Sequence, residues 1–237
     1  MPPIPPVTLR NTLLCLSLFS LISVGIAWWN LFGPSVERPR PDMVHYLALA
    51  DGDGLAAVPV PYRYRPWTPW LAARVPDPPP AWLDATRPLD RQKAHFRFAV
   101  VNVAGLALAA TGLSLLTRRL VDRRGTGLVG GVLFLTSYHP LTIATLPMVE
   151  AWSYAFLAWT LWLLVERKHI ALGVVFLLGL SCKETLLLVL PAALLLDSNR
   201  GQRIRQVTAP FVIPLAVDGL SNWLRGIRTK VLSTGQG

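Results

Sequence analysis

Long apolar blocks broken by short basic runs leave this chain few architectures. Asn11–Phe32, Phe98–Leu116, Leu128–Met148, Ala151–Val165 and Ile170–Leu196 are each mostly apolar, and a weaker block follows at Val207–Trp223. In hydrocarbon every backbone N–H and C=O must find its partner within the segment, so blocks of this length form helices. Only 15% of the 237 residues are charged, against about a quarter in a soluble domain. The mean hydropathy is +0.43. The sequence therefore predicts an all-α fold, a polytopic transmembrane helical bundle of about seven spans, two of them short. Residues 1–237 form a single transmembrane domain, and residues 33–97 form an extracytoplasmic loop after the first span.

The formal charge of +10 would suggest nucleic acid in a soluble protein. Here the basic residues flank apolar blocks, as the positive-inside bias and contact with anionic lipid require. No RNA-binding signature and no zinc spacing accompanies them, so membrane lipids are the expected partners and nucleic acid is not. Arg118-Arg119-Leu120-Val121-Asp122-Arg123-Arg124 is the clearest cytoplasmic marker. Asn11–Phe32 ends in Trp28-Trp29, an aromatic pair suited to the headgroup boundary, and reads as an uncleaved first helix. The competing reading is a signal peptide cleaved after Gly25-Ile26-Ala27. The loop holds two short interfacial helices, at Met43–Ala50 and Pro69–Val75. Cys15 and Cys182 both lie within apolar blocks and read as small core residues with no disulfide.

Ile170–Leu196 carries Cys182-Lys183-Glu184 at its middle and basic residues on both flanks: Arg167 and Lys168 before it, Arg200, Arg203 and Arg205 after it. If both flanks are cytoplasmic, the segment crosses an even number of times. It then splits into two short helices, Ile170–Leu180 and Thr185–Leu195, each about 16–20 Å long against a hydrocarbon core of about 30 Å. Such a hairpin is re-entrant or lines a hydrated cavity. The alternative is one long tilted helix with a buried Lys183–Glu184 pair. The chain ends soon after Val207–Trp223 without a closing helix, in keeping with a fragment of a longer protein.

Chemistry-bearing residues gather toward one membrane face. Asp42 suits a general base acting on a hydroxyl, a metal ligand, or an N-cap for the helix starting at Met43, and on residue type alone the cap is the stronger reading. Asp51-Gly52-Asp53-Gly54 lacks the further acids of an EF-hand loop and reads as a turn. Arg63 and Arg65 alternate with Tyr62 and Tyr64. In an extended chain they share one face, which suits a phosphate or, equally, lipid headgroups with Tyr64, Trp67 and Trp70 as anchors. Lys183 and Glu184 are costly between apolar half-spans and so are functional candidates, with mutual neutralisation at a turn as the rival reading. Glu150 is a lone acid at the outer face, and His139 beside Pro140 reads as a hydrogen-bonded helix residue. No residue pattern indicates a metal, and none names a cofactor. The absence of a Walker lysine or a Gly-rich phosphate loop argues against a cytosolic nucleotide site.

Taken together, Asp42…Tyr46, Tyr62-Arg63-Tyr64-Arg65-Pro66…Pro69-Trp70-Leu71, Pro147-Met148-Val149-Glu150 and Leu180-Ser181-Cys182-Lys183-Glu184-Thr185 resemble bacterial multi-spanning proteins related to GT-C glycosyltransferases. The resemblance runs from about Asn11 to Arg205. It implies a multi-pass protein of the bacterial plasma (inner) membrane that uses a polyprenyl-phosphate-linked sugar at the outer face. Asp42 would act as catalytic base, and Arg63, Arg65 and Lys183 would hold the lipid-phosphate leaving group. Tyr46, Glu150 and Glu184 would complete the substrate site. The competing class is a non-enzymatic lipid or polysaccharide carrier or assembly partner, or an inactive or truncated relative of the transferases.

Overall fold

The computed structural model describes residues 8–32, 41–52, 58–59, 62, 65–121 and 125–189. Arg63, Tyr64, Asp53, the basic Arg123-Arg124 pair, the far end of the second hairpin arm and the Val207–Trp223 span lie outside them. Among the described residues every regular element is helical: α1 (Leu9–Phe32), α2 (Met43–Asp51), α3 (Trp67–Ala72), α4 (Leu89–Leu120), α5 (Thr126–Thr136), α6 (Tyr138–Ile143), α7 (Glu150–Val165) and α8 (His169–Leu180), with 3-10 turns at Pro80–Trp82 and Glu184–Leu188. Two of these helices, α1 and α4, are long and apolar enough to cross a membrane.

The expected continuous span at Leu128–Met148 is broken. α5 stops at Thr136, Ser137 is extended (φ −72°, ψ 155°), and α6 restarts at Tyr138. Pro140 accounts for this, because its ring clashes with the carbonyl four residues back, at Thr136, and it has no N–H to bond there. α5 is left with 11 residues, about 16 Å.

The long helix α4 is the axis of the fold, and α7 runs parallel to it along a stripe of small residues. Gly105 faces Ala151, and Gly112, one heptad on, faces Ala158. The spacing repeats in the tryptophans, as Trp152 and Trp159 donate their indole N–H to the carbonyls of Val101 and Leu108 at 3.1 and 3.0 Å. A Cβ on Gly105 would lie 3.0 Å from the Ala151 backbone carbon, so any side chain there would push the two helices apart, as in other small-residue helix contacts. At its far end α7 stops sharply. Lys168 N–H bonds the Leu163 carbonyl at 3.0 Å and Arg167 N–H the Leu164 carbonyl at 3.2 Å, with Arg167 in the left-handed region at φ 56°. This Schellman closure turns the chain back into α8, and Arg119 pairs with Glu166 beside it.

Asn102, buried in α4, fixes the segment between α6 and α7. Its Nδ2 donates to the carbonyls of Ile143 and Leu146 at 3.0 and 2.9 Å. Asn102→Ala should cost about 2 kcal/mol, since both carbonyls lose this donor in a buried setting, and a denaturant titration in mixed micelles would measure it.

The long segment between α1 and α4 is tied down on α4. Asp77 takes Lys93 at 3.2 Å and Arg97 of α4, and these two bonds hold its carboxyl below the usual carboxylate range. α2 and α3 close over α4 through Tyr46, Ala72, Phe98, Val101 and Val149.

Candidate functional site

Three segments far apart in sequence meet above the start of α7. α2 brings Asp42 and Tyr46, the turn before α3 brings Tyr62 and Arg65, and the break after α8 brings Lys183 and Glu184. Local structure explains each placement. Arg65 N–H bonds the Tyr62 carbonyl at 2.9 Å, which holds these two residues close together. Their side chains also meet, with the Arg65 guanidinium carbon 5.9 Å from the centre of the Tyr62 ring.

The break at Lys183 is as the sequence led us to expect, and the single unbroken helix is excluded. α8 ends at Leu180, Lys183 is extended (φ −163°, ψ 129°), and a 3-10 turn follows. Gly179 packs on Phe156, so α8 stops about 9 Å, six residues of helical rise, short of the α7 start at Glu150. Lys183 and Glu184 therefore follow the end of α8 toward the start of α7 and the turn before α3. They do not neutralise each other. Lys183 Nζ bonds Glu150 Oε1 at 3.1 Å, so Glu150 is not a lone acid. Glu184 instead receives Arg65 through both oxygens, Nε to Oε2 at 3.0 Å and Nη2 to Oε1. This paired fork is the strong geometry for a guanidinium and a carboxylate.

Asp42 occupies the N-cap position of α2 but makes no side-chain cap bond. The capping role that residue type favoured is therefore not observed, because the carboxylate is engaged elsewhere. Its Oδ1 accepts the Tyr62 hydroxyl at 2.7 Å. Tyr62 also stacks on His45 at 4.4 Å and meets Tyr46 edge-on at 5.5 Å. Tyr46, only 1% exposed, accepts Arg65 Nη1 at 3.2 Å. Burial pushes its hydroxyl up to about 12 against the pull of Arg65, so it stays neutral at ordinary pH. Burial also works against the charge on Arg65, but its bonds to Glu184 and Tyr46 outweigh this and hold the guanidinium more firmly protonated than usual.

Asp42, Tyr46, Arg65 and Glu184 thus form one connected network, and the Lys183–Glu150 pair adjoins it through the Lys183-Glu184 backbone. Arg63 lies outside the described residues. Sequence reasoning did not single out Tyr62 or His45 as members. The only available signal was that Tyr62 lies three residues before Arg65, a turn spacing. Glu150 Oε2 is buried with no hydrogen-bond partner among the described residues. Among those residues no group of three or more His, Cys, Asp or Glu side chains comes together to hold a metal.

A cavity of about 1070 Å³ lies elsewhere, between α1, α4, α6 and the Pro78–Arg87 part of the loop. None of its lining residues belongs to the Asp42–Glu184 network. Volume and polar chemistry thus point to different places, and for a reaction site we give weight to the converging ionisable groups. Comparison with protein-family models, with curated proteins and with solved structures returns no match.

Proposed function

We propose that the chain is a multi-pass membrane protein of the bacterial plasma membrane that transfers a sugar from a polyprenyl-phosphate carrier at the outer face, with Asp42 as base. One observation carries this reading: Asp42, Arg65 and Glu184, spread over most of the described chain, converge in a single network beside Lys183 and Glu150. Ionisable groups gathered at one end of apolar helices are costly unless they serve a purpose.

The multi-pass reading rests on what the helices expose. α1 turns Leu14, Leu21, Val24 and Trp28 outward, and α8 turns out Ile170, Val174 and Leu178, while Asn102, Thr111, Ser114, Ser153 and Thr160 are buried. Apolar surface outside and small polar residues between helices is the pattern lipid favours.

In the proposed reaction the acceptor hydroxyl gives its proton to Asp42, whose Oδ1 is fixed by Tyr62. The acceptor oxygen forms the new bond to the anomeric carbon as the carbon–oxygen bond to phosphate breaks. The polyprenyl phosphate leaves with that electron pair, toward Arg65 and Lys183. Glu184 now occupies the Arg65 fork. Its side chain is 57% exposed, so it can swing into water when a phosphate replaces it.

Asp42→Asn should lower release of polyprenyl phosphate by about 100- to 10,000-fold, the usual worth of a general base, and leave binding of polyprenyl phosphate unchanged. Lys183→Ala should weaken that binding about tenfold. Wild-type turnover in Asp42→Asn, assayed in proteoliposomes, would rule the mechanism out. A second reading is favoured by the pairing of both cations with carboxylates: the network is a tie between loop and hairpin in a non-enzymatic protein. In that case neither variant changes lipid-phosphate binding.

A further inference from the structure

The cavity between α1, α4 and α6 has a chemistry of its own. One wall is a single face of α1, where Ile22, Ile26 and Trp29 recur at helical spacing and span about 15 Å from Ile22 to Phe32. Phe96 and Leu141 supply further apolar lining, and Arg87, Gln92 and His95 come from the outer loop and the first turns of α4. Among the described residues no aspartate or glutamate lines it. The cavity thus has a long apolar side and a cationic end at Arg87, where the Gln92 amide is already bonded to the backbone of Asp84 and Arg87. That end lies near Trp28 and Trp82, which pack edge to face at 5.8 Å, and tryptophans favour headgroup depth.

Arg87 is not locked away. Asp84 meets its Nε at 3.3 Å with both side chains about half exposed, a pairing worth roughly 1 kcal/mol or less. Asp84 is also held by Thr86, whose N–H and hydroxyl both donate to its Oδ1. A phosphate can therefore take the guanidinium at little cost.

We propose that this cavity binds one anionic phospholipid of the outer leaflet, with an acyl chain against the Ile22–Trp29 face and its phosphate at Arg87. The volume, about 1070 Å³, lies just above the usual range of about 300–1,000 Å³ for small-molecule sites, in keeping with a lipid. This goes beyond sugar transfer, because the cavity shares no residue with the Asp42 network. Gly25 offers a clean probe: it lines the cavity, and a Cβ there meets nothing within 4 Å.

The test is native mass spectrometry of the delipidated full chain, titrated with palmitoyl-oleoyl phosphatidylglycerol, with the phosphatidylcholine of the same chains, or with free glycerol 3-phosphate. The chain should retain one phosphatidylglycerol with about tenfold preference over phosphatidylcholine, the effect of one charge-assisted contact. Gly25→Leu should abolish that retention by filling the apolar side. Thr142→Phe, from the opposite wall, should do the same. Arg87→Gln should level the two lipids without removing either, and glycerol 3-phosphate should not displace the lipid. If both filled variants retain phosphatidylglycerol like the parent, the lipid is merely annular and the proposal fails. If glycerol 3-phosphate alone displaces it, the site is a free-phosphate site and the proposal fails equally. Either failure leaves the Asp42 reading untouched.

Discussion

Glu184→Ala is expected to destabilise the folded chain by about 3 kcal/mol, more than Arg65→Met at about 1 kcal/mol. The asymmetry follows from where each charge sits. The Arg65 side chain is 10% exposed and that of Glu184 is 57% exposed. Removing the glutamate strands a charge beneath α2, where among the described residues the neutral Tyr46 hydroxyl and the Tyr62 ring are left to meet it. Removing the arginine frees a carboxylate that water can reach, and methionine fills most of the vacated space. The double variant should therefore be more stable than Glu184→Ala alone. Reversible unfolding of all four proteins in mixed micelles measures the cycle. Equal single-variant costs, or a double variant as weak as the sum, would mean that the pair does not hold the loop to the hairpin.

Gly105→Leu should lower stability by about 2–3 kcal/mol, the cost of overpacking a close helix contact, and should also impair the site. Gly105 lies against Ala151, the residue after Glu150 at the start of α7. Adding a side chain pushes α7 outward at the point where Glu150 receives Lys183. Gly112→Leu forces the same two helices apart one heptad further from the site. It should cost similar stability while disturbing lipid-phosphate binding less. Comparable loss of binding in both variants, once matched for folded protein, would break the link between helix packing and site geometry.

Features with a local cause were the most legible in the sequence. α1, α2, α7 and the interruption at Lys183 all follow from apolar periodicity bounded by basic or proline residues, and each lies within a few residues of the expected place. The break at Ser137 was missed although its cause, Pro140, stood in plain view. A proline is compatible with either a kinked span or a severed one, and only the surrounding packing decides. Partner choice was the least legible. Lys183 and Glu184 are neighbours, so mutual pairing stood as the rival to a functional role, yet an extended Lys183 sends adjacent side chains in different directions. Each then finds a partner contributed by another element: Glu150 for Lys183, Arg65 for Glu184. Asp42 shows the same limit. Its position before Met43 signals a cap, and nothing local reveals that Tyr62 will claim the carboxylate.

The central claim is that the outer loop and the break after α8 share one face of the membrane, opposite the turn between α7 and α8. Single cysteines in a background with Cys15 and Cys182 replaced by serine test it directly: Asp84→Cys in the loop, Ser181→Cys at the break and Arg167→Cys at the α7–α8 turn. With a membrane-impermeant maleimide on intact cells, positions 84 and 181 should label, and position 167 only after permeabilisation. Labelling of 84 and 181 from opposite sides, or of 167 from outside, would contradict it.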